Sequence, residues 1–189
     1  MSKLILFTLA ASLPVAASAQ TAVPAARFEA IELRGGGTVT VRHGTVQRVT
    51  LYRGNLEVSR IEVQRDGGGD PKLVIEACRS SCRNYDLRVE IVTPDLDAIA
   101  IRGGGTVRVE GRFPARAALA LAVTGGGSLD ARGLPAGSVA TAVNGGGSIR
   151  TAATVNLVAS VKGGGAILYS GDPQVVSSVR GGGAVTRLR

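Results

Sequence analysis

The chain has 189 residues, of which 44% are hydrophobic and 3% aromatic, and its formal net charge is +8 at pH 7. This length is typical of one domain, and the high aliphatic content excludes a disordered glycine-rich polymer. The scarcity of aromatic side chains makes nucleic acid an unfavoured partner, because single strands are bound by stacking on such rings. Three of the 22 cations are lysines and the rest are arginines. Acidic partners are therefore favoured, although cations scattered for solubility would give the same totals.

Residues 1–19 are typical of a secretory signal peptide. Lys3 supplies a positive charge, an apolar run follows from Leu4 to Val15, and small residues stand at Ala17 and Ala19. A membrane anchor would need about 18 to 20 consecutive apolar residues, and this run is shorter. We predict cleavage after Ala19 and export to the periplasm or the cell surface. The mature chain would then begin with glutamine, would have no cysteine there for lipid attachment, and would contain no transmembrane segment.

Most glycines occur in triplets that recur along the chain, and these triplets account for 21 of the 27 glycines. They begin at Gly35, Gly67, Gly103, Gly125, Gly145, Gly163 and Gly181. From Gly103 onward the starts are 22, 20, 18 and 18 residues apart. A period near 20 residues is typical of a repeat architecture (~20–50 residues).

Aliphatic residues occupy equivalent positions on both sides of six triplets. Two residues before the first glycine stand Leu33, Ile101, Val123, Val143, Val161 and Val179. The second residue after the triplet is Val39, Val107, Leu129, Ile149, Ile167 or Val185. Apolar residues around these positions alternate with period two, which predicts strands that turn one face into a core and the other to solvent.

We predict an all-β fold, namely a single-domain β-solenoid over residues 20–189 with coils of about 18–22 residues. One repeat cannot bury its apolar face alone, whereas coils stacked about 4.8 Å apart form a continuous core. The glycine triplets would lie at the corners, where they permit positive φ and close backbone approach. They lack the lysine and the following helix of a phosphate-binding loop. A nest of backbone N–H groups that holds an anion is the alternative interpretation.

The triplet at Gly67 is out of register, because Asp66 precedes it and Asp70-Pro71 follows. These residues favour a turn, so we predict a hairpin excursion over about residues 56–86. Its predicted strands are Leu56–Val63 and Leu73–Ala77, and Leu87–Val92 would return to the main stack.

Cys78 and Cys82 are the only cysteines. In an exported chain they predict a local disulfide, which contributes about 2 kcal/mol by closing a short loop. A redox site would favour C-x-x-C spacing, and a zinc site would need further ligands that the single histidine, His43, cannot supply. We therefore predict no metal and no cofactor.

The residue types needed for catalysis do not converge in the sequence. His43 stands beside a predicted turn, where a solvated loop residue is the simpler interpretation. The closest pair of carboxylates, Asp95 and Asp97, also lies at a predicted turn, where aspartate forms local hydrogen bonds. A glycan-processing solenoid enzyme would need carboxylates that converge on one face, so we predict no enzymatic activity.

The residue immediately before each in-register triplet is polar and mostly cationic. The six positions, which we call the cationic column, are Arg34, Arg102, Thr124, Asn144, Lys162 and Arg180. If the coils are in register, stacking aligns them beside the glycines. We predict that Arg34, Arg102, Lys162 and Arg180 bind phosphates or carboxylates of lipopolysaccharide or acidic glycans.

The layout of the chain over roughly residues 28–186 resembles the family of the putative auto-transporter adhesin head GIN domain. The resemblance lies in the opening Phe28–Leu33, the central segment Leu87–Leu96 and the later Gly-x-Gly-Ser repeats. Three glycines stand where the family usually has Gly-Ser-Gly or Gly-Asn-Gly, and the Cys78 to Cys82 excursion is an individual feature. The resemblance implies an exported envelope or surface protein with a β-helix-like fold, an adhesive or scaffolding role and no catalytic residues.

Three functions follow in order of preference. The first is adhesin-like binding of anionic polymers through an extended β face. The second is a structural protein that self-associates through open ends of the solenoid. The third is glycan processing.

Overall fold

A computed structural model of the chain describes residues 20–65, 70–79, 82 and 85–188. Within these ranges the regular secondary structure is entirely β-strand, which confirms the predicted all-β class. The predicted signal peptide and the Gly67 triplet lie outside the described residues. The strands are β1 (Thr21–Val23), β2 (Ala30–Arg34), β3 (Thr38–His43), β4 (Arg48–Arg53), β5 (Arg60–Gln64), β6 (Lys72–Glu76), β7 (Arg88–Thr93), β8 (Ala98–Arg102), β9 (Thr106–Glu110), β10 (Arg116–Thr124), β11 (Ser128–Asp130), β12 (Ala136–Asn144), β13 (Ser148–Lys162), β14 (Ala166–Ser170), β15 (Gln174–Arg180) and β16 (Ala184–Arg187).

The strands form two ladders that share the long strand β13. Ladder 1 contains β5, β6, β2, β8, β10, β12, the second half of β13, and β15. Ladder 2 contains β1, β4, β7, β3, β9, β11, the first half of β13, β14 and β16. From β2 to β15 and from β7 to β16 every neighbouring pair is parallel.

The aligned sequence positions coincide with the register of the two ladders. In ladder 1, Leu33 pairs with Ile101, and the same row of paired residues continues through Val123, Val143, Val161 and Val179. In ladder 2, the corresponding row of paired residues contains Val39, Val107, Leu129, Ile149, Ile167 and Val185. Inward-facing residues of both ladders form one hydrophobic core, in which Leu33, Val39 and Ile149 are fully buried. Each repeat thus contributes one strand to either side of a shared core.

The three glycines of a triplet have different environments. The first has positive φ, +123° at Gly145, and a Cβ there would lie 2.6 Å from the carbonyl oxygen of Gly125 in the preceding layer. A Cβ on the third, Gly147, would lie 2.6 Å from the carbonyl oxygen of Gly127. The second, Gly146, has only open space within 4 Å of its Cβ position and lacks positive φ. The backbone geometry therefore requires glycine at the outer two positions of this triplet and not at its centre.

The excursion after β4 is a two-stranded addition to ladder 1. Strand β5 pairs antiparallel with β6, and β6 pairs in parallel with β2. The first strand begins at Arg60 and not at the predicted Leu56, because the side-chain oxygen of Asn55 accepts a hydrogen bond from the Glu57 N–H at 2.7 Å. This contact turns the chain before the strand starts. The chain returns to ladder 2 through β7.

The two ends of the stack differ. At the end nearer the N-terminus, β4 pairs antiparallel with β7, β1 with β4, and β5 with β6. At the other end, β15 and β16 each pair in parallel with one strand of the preceding repeat. Inward-facing Val175 and Val179 of β15 remain 38% and 42% exposed, although their ladder partners Leu157 and Val161 are fully buried.

Candidate functional site

The six residues of the cationic column occupy one line across ladder 1. Arg34 pairs with Arg102, and the line continues through Thr124, Asn144, Lys162 and Arg180. On the other side of Arg34 the line continues through Glu76 of β6 to Arg60 of β5. Strand alternation places these side chains on the outer face of the ladder, since their neighbours Leu33, Ile101 and Val161 point into the core.

The glycine triplets hold the column in register through the backbone. The N–H of Gly35 donates to the carbonyl oxygen of Arg102 at 2.7 Å, and the N–H of Gly145 donates to that of Lys162 at 2.8 Å. The first glycine of five triplets thus donates to the column residue of the next layer. These hydrogen bonds link the turn of one layer to the column residue of the next.

At the end nearer β6, the column surrounds a buried carboxylate. The Glu32 side chain is 2% exposed, and its oxygens lie 2.8 Å from the Arg34 guanidinium, 2.7 Å from that of Arg102 and 2.7 Å from the Lys72 ammonium. Burial by itself raises the pKa of Glu32. Hydrogen bonds from Arg34 and Lys72, with the positive charges of Lys72 and Arg102, outweigh this and lower the pKa to about 2. Arg34 and Arg102 therefore stabilise the buried Glu32 carboxylate in addition to any binding role.

Glu32 was missed as a site residue by the sequence analysis. Its place two residues before Arg34 in an alternating strand indicates that both side chains face outward. Its burial depends on Lys72, which β6 brings alongside from about forty residues further along the chain. Only the pairing of the excursion with β2 reveals the cluster.

At the opposite end of the column, the cations are open to solvent. Lys162 and Arg180 stand in adjacent layers and are both exposed. Within the part of the chain that the structure describes, neither forms an ion pair. Between the two cationic pairs lie Thr124 and Asn144, which are exposed and uncharged. The column therefore presents two pairs of positive charges separated by two neutral layers.

A strip of alanine, valine and serine side chains, which we call the apolar strip, lies beside the column on the same outer face. Its two lines are Ala98, Ala120, Ala140, Val158 and Val176, and Ala100, Ala122, Ala142, Ser160 and Ser178. The alanines line a shallow groove of about 320 Å³. Val158 is 55% exposed and Val176 is 68% exposed. This face thus combines an apolar strip with a cationic border.

The other sequence-predicted residues lie away from this face. Cys78 and Cys82 are at disulfide distance, with Cα atoms 6.1 Å apart. The ring of His43 is exposed and packs edge-on against Phe113, with ring centroids 5.1 Å apart.

The two turn carboxylates share one buried cation. Arg116, whose side chain is 8% exposed, pairs with both Asp95 and Asp97. Burial raises the pKa of Asp97, and the charges of Glu29 and Asp70 add to this effect. Burial also lowers the pKa of Arg116. In the described ranges, no three His, Cys, Asp or Glu residues are grouped so as to hold a metal ion.

These features define a class, namely an all-β repeat protein that carries aligned cations and small apolar residues on one outer face. The family model described as "Putative auto-transporter adhesin, head GIN domain" matches residues 27–119 and 116–173, and the chain belongs to this family. The resemblance predicted from the sequence is therefore confirmed. The family is adhesin-like in its description, which assigns no ligand.

Two solved structures of putative adhesins are similar to this chain. One, described as a putative adhesin from Bacteroides fragilis, is 19% identical with a TM-score of 0.55, covering 89% of this chain and 96% of that one. Another, described as a putative adhesin from Parabacteroides distasonis, is 17% identical with a TM-score of 0.45, covering 90% and 96%. The first likeness establishes a shared fold. A search of curated proteins found no match.

Among the residues that the structure describes, no helix has the length and apolar character to cross a bilayer.

Proposed function

We propose that this chain is a non-enzymatic protein of the bacterial envelope or cell surface that binds anionic polymers through the cationic column. The ligand class is lipopolysaccharide or acidic glycan, whose phosphates and carboxylates match arginine and lysine in charge and hydrogen bonding. Membership of an adhesin-like family supports a binding role. Removal of residues 1–19 during export is part of this proposal.

The frame proposed for the binding face is a β-solenoid. In-register parallel pairing between equivalent strands of successive repeats supports it, as does the common core between the two ladders. Stacked layers are about 4.8 Å apart, so the two charges of a pair are separated by about that distance along the stack. Arg102 and Lys162 are three layers apart, or about 14 Å. A polymer with anionic groups at regular intervals fits this spacing better than a small ion.

Exposure of Lys162 and Arg180 in adjacent layers is the observation that carries the proposal. Both cations are available, since within the described ranges neither has an anionic partner. Arg102 adds to them, because its side chain is 67% exposed even while it contacts Glu32. The strip of alanines beside the column gives a ligand a flat surface without bulky side chains.

The lack of enzymatic activity is supported by the state of the two candidate carboxylates. Asp95 and Asp97 are both paired with Arg116, which leaves neither poised as a base or nucleophile. Glu32 is buried, ion-paired and ionised, so it has no proton to donate. None of these three carboxylates therefore favours a glycan-processing site.

Binding to lipopolysaccharide and to an acidic polysaccharide should depend on the exposed end of the column. We expect Lys162→Gln combined with Arg180→Gln to weaken binding at low salt by about tenfold, because two exposed charge contacts of roughly 0.5–1 kcal/mol each are lost. Raised salt should weaken polymer binding by the parent protein more than binding by the variant, since screening removes the same contacts. Equilibrium binding to immobilised polymer measures both effects.

A matched control removes the same net charge elsewhere. Arg48→Gln combined with Arg112→Gln takes two exposed arginines from outside ladder 1, and we expect less than about twofold weakening. Equal losses in the two double variants would mean that only net charge matters, which contradicts the proposal. Duplex DNA is included as a second polyanion, and stronger binding to DNA than to either polysaccharide would reject the ligand class.

Self-association is the second candidate function. Exposure of Val175 and Val179 at the end of the stack favours it. If no polymer binds, scaffolding by copies of the chain becomes the better account.

A further inference from the structure

The last strand of ladder 1 is an open edge with an apolar lining. Strand β15 pairs with β13 on one side along Gln174–Arg180, and among the described residues it has no strand on the other. Its whole length is exposed. An extended strand in this position presents a row of unpaired N–H and C=O groups, which is a template for pairing with a further strand.

Features that normally protect an edge strand are absent from the middle of β15. Proteins blunt such edges with charged residues, proline or bulges. Here Pro173 precedes the strand and Arg180 ends it, but the intervening residues are Gln, Val and Ser. At the opposite end of ladder 1, β5 is antiparallel and carries the Arg60 and Glu62 charges, 46% and 42% exposed. Of the two edge strands of ladder 1, only β15 thus lacks charged residues in its middle.

We propose that two copies of the chain join at this end, with β15 of one copy paired antiparallel to β15 of the other about a two-fold axis at Ser177. In this register Val175 faces Val179 of the second copy, and Ser177 faces itself. These three side chains point inward, as do their ladder partners Leu157, Ala159 and Val161. The pairing therefore joins the two cores and covers the valines that a single copy leaves about 40% exposed.

Strand β15 is self-complementary in this register, which favours a second copy over an unrelated partner. Its inward residues read Val-Ser-Val in both directions about Ser177. On the outer face, Arg180 meets Gln174 of the second copy, so no like charges are directly opposed. Asp172, which is 89% exposed and pairs with Arg187 of its own copy at 3.1 Å, lies diagonal to Arg180 of the second copy and is opposite to it in charge. An interface in which one patch meets itself is the ordinary form of a two-fold dimer.

This association closes at two copies. Fibres need two different ends that fit one another, and here the other end is built from antiparallel strands and carries charges on β5. The axis passes between the two lines of the apolar strip, so the strip continues from one copy into the next. This inference does not depend on polymer binding, and its test uses no polymer.

Sedimentation equilibrium of the purified chain at rising micromolar concentrations should give a monomer–dimer equilibrium without larger species. Ser177→Lys and Ser177→Glu each place like charges opposite one another at the axis, and we expect each to weaken the dimer by at least about tenfold. An equimolar mixture of the two variants should restore the dimer, because lysine then faces glutamate. Only a residue that meets its own copy gives this pattern.

The control variant is Glu62→Lys, on the edge strand at the opposite end, which should leave the dimer unchanged. Circular dichroism of each variant verifies the fold, and recovery in the mixture shows that both variants are native. A monomer at all concentrations, assembly beyond the dimer, or a mixture that stays monomeric would each overturn the proposal. If polymer binding fails while the dimer forms, only the proposed function is rejected.

Discussion

Replacing Gly145 with alanine is expected to lower the free energy of unfolding by about 3 kcal/mol, whereas the same change at Gly146 should cost nothing or stabilise by up to about 1 kcal/mol. The two residues are neighbours in one triplet, both are glycine, and the added group is the same methyl. At Gly145 the methyl would be strained by φ of +123° and would lie 2.6 Å from the carbonyl oxygen of Gly125. At Gly146 it would enter open space.

The atoms around the Gly145 Cβ position explain why the structure cannot easily relax around an added methyl group. The atom that the new Cβ meets belongs to the backbone of the preceding layer and cannot rotate away as a side chain would. The Gly145 N–H also donates to the Lys162 carbonyl oxygen at 2.8 Å, so a shift would disturb the column in the next layer. Alanine at position 146 should stabilise the folded protein slightly, because it reduces the conformational entropy of the unfolded chain.

Urea unfolding followed by circular dichroism measures this difference, with Gly126→Ala as a second central-glycine control. Equal destabilisation at Gly145 and Gly146 would mean that the central glycine is also required by the backbone. A large loss of polymer binding in Gly146→Ala at unchanged stability would instead give the exposed central glycines a role at the binding surface.

Glu32→Gln is expected to destabilise the protein by about 2–3 kcal/mol at neutral pH. The amide has the shape of the carboxylate but not its charge, so the attraction between Glu32 and the charges of Arg34, Lys72 and Arg102 would be lost. Their partial exposure lets water offset part of this cost, which keeps the effect below that of a fully buried pair. Glu110→Gln is the matched control, because Glu110 and its partner Arg42 are both exposed and the pair contributes less than about 1 kcal/mol.

The effect of Glu32 should depend on pH in a defined direction. Its folded pKa of about 2 lies below the ordinary value of 4.5, so the unfolded chain binds the proton first as the pH falls. The stabilisation is complete above about pH 4.5 and disappears as the pH falls towards 2. The stability difference between the parent protein and Glu32→Gln should shrink over that window. Denaturant titrations at several pH values test this, and a difference that is constant or grows on acidification would contradict the assigned pKa.

The parts of the fold that follow from local pattern were predictable. Strand positions and register follow from the spacing of Leu33, Ile101, Val123 and their equivalents around each triplet. Parallel stacking of repeats places equivalent residues of successive repeats side by side. The alignment of the cationic column followed in the same way. What the spacing could not distinguish is the role of each glycine within a triplet, since the three are identical in sequence and differ only in what the neighbouring layer places beside them.

Other features depend on contacts between distant parts of the chain. The Glu32 cluster exists because the excursion returns as β6 and brings Lys72 beside β2. The start of β5 at Arg60 depends on the Asn55 turn, which interrupts an apolar pattern that otherwise predicts a strand from Leu56. The two ends of the stack differ because strands pair antiparallel at one end and parallel at the other. The periodicity of apolar residues does not encode the direction of strand pairing.

The two neutral layers of the column also bear on how such a protein can evolve. Residues 125–144 form one complete 20-residue unit that contacts equivalent units above and below. Tandem duplication of this segment in the gene would insert one more layer of about 4.8 Å in the middle of the stack, leaving both terminal structures and both pairs of cations as they are. The distance between the charge pairs can therefore change only in discrete steps of one layer, so descendants of one gene would differ in this spacing by multiples of about 4.8 Å.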